Sequence, residues 1–251
     1  MPDRPPTPLP EVVEYLREIG YGDFYAPASA AAGEICEAPD ASRPPVQSGS
    51  APATGDDEAP PSPRATAGTD ELARLATEAE VCRACRLCET RNRVVFGSGD
   101  PHAELMFIGE GPGAEEDRQG LPFVGRAGEL LTKIIQALDL RRDHVYIANV
   151  VKCRPPGNRD PQPDEVAACR HFLAGQICSI QPRILVALGR IAAQTLLGSD
   201  EPIGRMRGKW YELFGVPMMV TYHPAALLRN PSLKRPTWED MQQVRDRLRG
   251  S

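Results

Sequence analysis

Four short apolar runs in the later part of the chain predict buried β-strands. They cover residues 104–108, 145–151, 184–188 and 216–222. The segments between and after these runs have the apolar spacing of helices, at residues 128–138, 163–180, 190–197 and 238–249. Because strand and helix alternate, we predict an α/β fold of three layers, α/β/α, with a central four-stranded parallel sheet.

The first 70 residues differ in composition from the remainder. They hold 13 of the 26 prolines, and 12 acidic residues against 4 basic ones, with few large apolar side chains. Such a segment cannot bury enough apolar surface to fold by itself. We predict a mostly disordered extension over residues 1–70, with a short helix near residues 11–20, and a folded domain over residues 71–251.

The extension accounts for the acidic balance of the whole chain. The formal net charge is −5, yet bases outnumber acids from residue 71 onward. No run approaches the roughly 18 apolar residues of a membrane span, and the proline-rich, acidic start does not resemble a secretory signal. We expect a cytoplasmic monomer with no membrane partner. The extension is interpreted as a passive tether, with an acidic DNA mimic that damps non-specific binding as the alternative. Its short helix is interpreted as loosely attached, with a docking segment for a protein partner as the alternative.

A glycine-rich turn follows the first predicted strand. Gly109, Glu110 and Gly111 begin this turn, within the segment FIGEGPGAEEDRQGLPFVGRAG at residues 107–128. Glycines let the backbone approach a ligand closely. Their spacing matches neither the dinucleotide fingerprint nor the P-loop, and the acidic residues 115–117 would repel a phosphate. The structural alternative is an ordinary strand-to-helix turn with solvated acids.

Polar residues also mark the ends of the second and fourth strands. Asn149 lies in the otherwise apolar VYIANVV, and His223 follows the last strand in VTYHPAALLRNP. The carboxyl ends of parallel strands meet at one edge of a sheet, so we expect Glu110, Asn149 and His223 to lie close together. A structural amide and a capping or core histidine are the alternatives.

This set of side chains suits a flat nucleobase. The Asn149 amide presents one acceptor beside one donor, which matches the N3–H and O4 edge of uracil once neighbours hold the amide in one orientation. Phe123 could supply a stacking surface for a flipped base, although a core phenylalanine is the alternative. Basic residues in nearby loops suit backbone phosphates, with a solvated basic face as the alternative: Arg154, Arg205, Arg207, Lys209 and Arg229.

The cysteine spacing indicates a metal site. Cys82 and Cys85 form a CxxC pair, and Cys153 and Cys169 lie far downstream, where the fold could bring them beside that pair. Four thiolates suit zinc or an iron–sulfur cluster, and the residues alone do not separate the two. Cys88 is left outside the predicted set. Unligated thiols are the alternative.

Five segments together resemble the family 4 uracil-DNA glycosylases. They are CRAC with the two later cysteines, GEGPGAEED, PFVGRAG, NVVKCRPPGNRDP and TYHPAALLRNP, in the family's order. The resemblance covers about residues 71–249 and implies a uracil-DNA glycosylase-like catalytic domain. It implies a 4Fe-4S cluster, with zinc as the alternative, on Cys82, Cys85, Cys153 and Cys169. The implied uracil pocket comprises Gly109, Glu110, Gly111, Phe123, Asn149 and His223.

The resemblance also implies an activity, the excision of uracil from single- or double-stranded DNA in base excision repair. Glu110, Asn149 and His223 are the expected catalytic residues. The family's cross-linking branch carries an extra histidine after the second strand, whereas KCRPPGNRDP has none, so ordinary turnover is expected. Gly111 stands where the superfamily's best-known branch has an aspartate, which leaves the role of Glu110 open. The alternative function is a nucleic-acid-binding or redox-sensing module without glycosylase activity.

Two further expectations concern the same edge of the sheet. Leu227, Leu228 or Arg229 could fill the gap that a flipped base leaves in a duplex, because they follow His223 directly. A lyase step would need an amine in the pocket. Lys152 is the nearest candidate, but it lies between an apolar residue and a predicted metal ligand, so we expect a monofunctional enzyme.

Overall fold

The computed structural model describes residues 63–250, with side chains from residue 68 onward. The predicted helix at residues 11–20 lies outside the described residues. The first described helix begins at Pro63, eight residues before the predicted domain boundary. In chain order the helices are α1 (Pro63–Val81), α2 (Ala114–Gln119), α3 (Arg126–Ala137), α4 (Pro163–Ile180), α5 (Arg190–Leu197), α6 (Ile203–Met206), α7 (Pro224–Arg229) and α8 (Lys234–Arg249).

The strands of the described region form one sheet in the order β1-β3-β2-β4-β6-β5. They are β1 (Ser98–Gly99), β2 (Leu105–Gly109), β3 (Tyr146–Asn149), β4 (Ile184–Leu188), β5 (Trp210–Leu213) and β6 (Val216–Thr221). The four central strands are parallel, which confirms the predicted core of the sheet. The prediction missed the antiparallel edge strands β1 and β5. The first has only two residues and the second is partly exposed, so neither produces an apolar run.

Alternate residues of the central strands enter two separate cores. Met106 and Ile108 pack on the face that α1, α4 and α5 cover. Leu105 and Phe107 pack on the opposite face, against side chains of α3 and α8. This period of two is what a sheet buried on both faces requires. The predicted three-layer α/β/α arrangement is therefore confirmed.

Helix boundaries follow local signals in the sequence. α4 begins after a capping box, in which Gln162 and Glu165 satisfy each other's backbone N–H groups, and Pro163 occupies the first turn. α3 and α8 begin earlier than their apolar spacing predicted, at Arg126 and Lys234. α2 was not predicted at all. Its acidic first turn, residues 115–117, lies at a helix N-terminus, where negative charge is favourable.

Candidate active site and thiol cavity

A cavity of about 520 Å³ opens at the carboxyl ends of the parallel strands. Glu110, Phe123, Asn149 and His223 all line it, together with Gly111. The fold therefore brings together the polar strand ends that the sequence pointed to. A cavity of this size can hold a nucleobase with part of its sugar.

Gly109 does not line the cavity, yet it determines how closely the walls approach each other. It pairs with Asn149 across β2 and β3. A Cβ atom at this position would lie 2.7 Å from the ring of Phe123 and would also collide with the Asn149 amide oxygen. Any side chain here would push the two groups apart, so the position requires glycine.

The Phe123 ring is held against His223. The two ring centroids lie 5.4 Å apart with an interplanar angle of 32°. Phe123 has a φ of 51°, a left-handed conformation that costs a non-glycine residue about 1–2 kcal/mol. Gly128 makes room for this turn, because a Cβ atom there would collide with the Phe123 carbonyl group. The position of the Phe123 ring is thus fixed by its own loop and by His223.

The acidic residues of the glycine-rich turn support this loop. Glu116 accepts hydrogen bonds from the backbone N–H groups of Val124 and Gly125, at 3.0 and 3.1 Å. Asp117 is fully buried and accepts bonds from the backbone and side chain of Asn92. The alternative of solvated acids is wrong for these two residues, although the turn does lead into a helix. The signal in the sequence was the run of acids directly after the glycine-rich turn, because acids are favoured in the first turn of a helix.

Asn149 is 1% exposed at the end of β3. Its Oδ1 is a buried side-chain oxygen with no hydrogen-bond partner among residues 63–250. Leaving a buried acceptor unpaired costs about 1–3 kcal/mol. The amide oxygen is therefore available to a donor that enters the cavity.

His223 is a neutral histidine that caps α7. Its Nδ1 accepts a hydrogen bond from the Ala225 backbone N–H at 3.1 Å, so the proton of the neutral ring is on Nε2. Burial, assisted by the charge of Arg229, lowers the pKa of His223 to about 4. Gly189 allows this close packing, since a Cβ atom there would lie 2.8 Å from the His223 Cβ. The ring can donate one hydrogen bond without carrying a charge.

Glu110 is half-buried and directly follows the last residue of β2. Burial and the nearby Asp160 carboxylate raise its pKa to about 7, while Arg190 acts in the opposite direction. Asp160 and Arg190 form an ion pair of 2.7 Å and both line the cavity. Glu110 can therefore exchange a proton near neutral pH. Sequence reasoning missed Arg190, although its position directly after a strand end was visible.

The predicted phosphate-binding residues occupy different environments. Arg229 is exposed and lines the cavity. Arg205 and Lys209 are exposed, and Arg154 donates a 2.8 Å bond to Asn158 at the surface. Arg207 instead forms an ion pair with the fully buried Asp240 and donates to the Pro236 carbonyl. Its guanidinium is therefore part of the packing of α8, unlike the exposed Arg205 and Lys209.

The predicted metal ligands line a second cavity, on the α1 and α4 side of the sheet. They meet there with Cys88, which the sequence left outside the set: Cys82, Cys85, Cys88, Cys153 and Cys169. Arg91 donates a hydrogen bond to the Cys153 sulfur at 3.2 Å, and the Lys152 backbone N–H donates to the Cys169 sulfur at 3.2 Å. Such donors stabilise thiolates. No three potential ligands in residues 63–250 converge as a single metal ion would require.

Comparison with known proteins identifies the family. The profile of the Uracil DNA glycosylase superfamily matches residues 96–242. A Type-4 uracil-DNA glycosylase of Saccharolobus solfataricus is 46% identical over 188 residues, which cover 71% of this chain and 87% of the relative. The chain belongs to the type-4 uracil-DNA glycosylases. A second type-4 relative, from Thermotoga maritima, is 46% identical over 181 residues, or 70% of this chain and 94% of the relative.

Members of other types are more distant from this type-4 chain. A Type-5 uracil-DNA glycosylase of Thermus thermophilus is 37% identical over 120 residues, which cover 42% of this chain and 54% of the relative. Among the residues described for the type-4 chain, no helix is long and apolar enough to span a membrane.

Proposed function

We propose that this protein hydrolyses the N-glycosidic bond of deoxyuridine in single- or double-stranded DNA, releases uracil and leaves an abasic site. The observation that carries the proposal is the unpartnered Oδ1 of Asn149 in the strand-end cavity. Uracil N3–H is a donor of the kind this oxygen lacks, and the adjacent amide nitrogen can donate to O4. Phe123 supplies a flat surface on which the flipped base stacks.

The leaving group must depart as an anion, and His223 is arranged to stabilise it. A neutral imidazole whose Nδ1 is occupied by the α7 backbone can donate only through Nε2. We assign that donor to uracil O2, where negative charge develops as the glycosidic bond breaks. Glu110 positions or activates the attacking water, or offsets positive charge on the sugar.

The role of Glu110 predicts a specific pH dependence. If its carboxylate handles water, kcat/KM rises about tenfold between pH 6 and pH 8, because a group with a pKa near 7 loses its proton in that interval. Glu110→Gln should be slower and flat across the same range. Single-turnover excision measured at each pH gives the comparison. A rise of the same size in Glu110→Gln would assign the titration to another group.

The stability of the same variant provides a control. The folded-state pKa of Glu110 lies above its ordinary value of 4.5, so the fold favours the protonated form and loses stability as pH rises from about 4.5 to 7. Glu110→Gln lacks this loss. Its Tm should exceed that of the wild type at pH 8, and the difference should shrink at pH 5.

We further propose that excision occurs without a lyase step. Burial lowers the pKa of Lys152 to about 8, a value that would suit an amine nucleophile. However, its Nζ donates to the Asn149 carbonyl and the Gln176 side chain and does not line the strand-end cavity. Lys152 is therefore not positioned to attack the sugar.

Leu228 is our candidate for the residue that fills the duplex after base flipping. Leu227 is buried, whereas 40% of the surface of Leu228 is exposed on α7, close to the cavity. Leu228→Ala should reduce excision from duplex DNA several-fold more than excision from single strands. Leu121→Ala is the matched control, because Leu121 is also exposed but lies between α2 and α3 rather than on α7. Equal losses on both substrates would exclude Leu228 from this role.

For the thiol cavity we propose a structural 4Fe-4S cluster held by Cys82, Cys85, Cys153 and Cys169. Its support is the all-sulfur donor set and the N–H groups directed at two of the sulfurs. When bound, the cluster would cross-link the segment after α1 to the end of β3 and to α4. Zinc is the alternative, but a single ion fits this cavity less well, because no three potential ligands among residues 63–250 converge on one point.

One assay tests the proposed activity. Protein with a full complement of iron is incubated with uracil-containing and matching thymine-containing oligonucleotides, and alkali then cleaves any abasic site. We expect strand breaks with the uracil substrate only. Nucleic-acid binding without uracil-dependent breaks would instead favour the binding or redox module.

A further inference from the structure

Lys152 is a buried charged residue that the proposed reaction does not use. It is 1% exposed, and it lies between the uracil pocket and the thiol cavity. Its Nζ donates a 2.8 Å hydrogen bond to the Asn149 carbonyl and a 2.6 Å bond to Gln176 Oε1. Both acceptors are uncharged. A buried ammonium without a contacting carboxylate is costly, so its position calls for an explanation.

Gln176 gives the ammonium a fixed anchor. The Gln176 Nε2 donates to the Phe96 carbonyl at 2.9 Å and to the Tyr146 hydroxyl at 3.3 Å. The side chain is fully buried on α4. A glutamine bound on both sides cannot turn its oxygen away from Lys152. The ammonium is thus held by α4 while it binds the last residue of β3.

The backbone of Lys152 is fixed as well. Its N–H donates to the Cys169 sulfur at 3.2 Å, and its carbonyl accepts a 2.8 Å bond from the Val95 N–H. Lys152 therefore contacts the end of β3 through its side chain and the wall of the thiol cavity through its main chain. Only two residues, Val150 and Val151, separate Asn149 from Lys152 along the chain.

The Asn149 carbonyl group links this hydrogen-bond network to the residue whose side chain lines the uracil pocket. The peptide group after Asn149 is bonded at both ends: its carbonyl accepts the Lys152 ammonium, and its N–H, which belongs to Val150, donates to the Gly109 carbonyl at 2.9 Å. Both bonds fix the backbone directly beside the Cα atom that carries the Asn149 amide. We propose that Lys152 is a positioning residue, which holds the Asn149 amide in the orientation that reads uracil and couples that orientation to the thiol cavity. This inference rests on the proposed uracil pocket. Lys152 itself does not touch the base.

Lys152→Met tests the inference, because methionine preserves most of the length and volume but has no donor. Loss of the charged hydrogen bond should weaken binding of free uracil by about tenfold or more. Binding is measured by competition with a uracil-containing oligonucleotide and directly by calorimetry. Tyr146→Phe is the matched control. It removes the far end of the same network without touching Asn149, so uracil binding should be unchanged.

Two further quantities are recorded for both variants: the absorbance near 400 nm, divided by the protein concentration, and the Tm. Neither depends on activity. Weaker uracil binding with unchanged absorbance supports a positioning role. Unchanged uracil binding would overturn it, and so would a parallel loss of absorbance, since Lys152 would then act by retaining the metal site. If Lys152→Met does not fold, Lys152→Gln and Lys152→Ala are compared instead. Glutamine keeps a hydrogen-bond donor and alanine does not, so Lys152→Gln must bind uracil more tightly than Lys152→Ala if the inference is right. Uracil excision by the wild type is measured first and tests the proposed function separately.

Discussion

Replacing His223 with alanine should lower kcat for uracil excision by roughly 100-fold or more. The variant lacks the Nε2–H donor that we assign to uracil O2, where charge develops in the transition state. KM should change less, because the substrate carries little charge at O2 before the bond breaks. Single-turnover kinetics on a uracil-containing oligonucleotide measures the effect directly.

Loss of the α7 cap must be separated from loss of the donor. The His223 ring accepts the Ala225 N–H, and removing an N-cap acceptor costs about 1 kcal/mol of stability. His223→Asn retains a capping side chain, so its Tm should stay near that of the wild type while kcat falls. If His223→Asn and the wild type have similar kcat values, the residue serves the helix rather than the reaction.

The second large effect is expected at the thiol cavity. Cys169→Ser should abolish absorbance near 400 nm and lower the free energy of unfolding by about 4 kcal/mol or more, as expected for loss of a structural metal site. Cys169 is buried on α4 and also accepts the Lys152 N–H. Losing it removes one of the links between α4 and the segment that follows β3. Iron analysis and thermal unfolding provide the measurements.

Cys88→Ser is the control for that experiment, because Cys88 lines the same cavity but lies outside the proposed ligand set. It should retain the absorbance, the iron content and most of the stability. If Cys88→Ser loses iron and Cys82→Ser does not, the ligand set is wrong at that position. If a fully active protein contains zinc and no iron, the assignment of a 4Fe-4S cluster is wrong. The assignment of the four cysteine ligands would still stand.

The strand ends explain why so much of the site could be predicted. Glu110, Asn149 and His223 each follow or end an apolar run, and parallel strands bring such positions to one edge. The sequence could not reveal which of the nearby charges are structural. Arg207 has the same local appearance as Arg205, and only the packing of α8 shows that buried Asp240 binds it. The spacing of residues along the sequence does not reveal ion pairs between positions this far apart.

The edge strands and the thiol cavity illustrate two other limits. β5 is partly exposed and pairs through a hairpin, so its pattern does not differ from that of a loop. The CxxC pair was recognisable because its spacing is regular. Cys88, three residues further, has the same spacing from Cys85. Spacing alone could not predict that its thiol would share the cavity wall with the other four.

Asp117 shows that an acid beside the glycine-rich turn can have a purely structural role. It lies seven residues after Glu110, but both of its carboxylate oxygens are occupied by Asn92, which belongs to the segment following the thiol-bearing turn. The same short helix carries Glu116, which holds the loop of Phe123. α2 thus connects the cavity wall that carries Phe123 to the segment beside the sulfur-lined wall. Substitutions at Asp117 would resemble damage to the chemistry while acting through the alignment of these two walls.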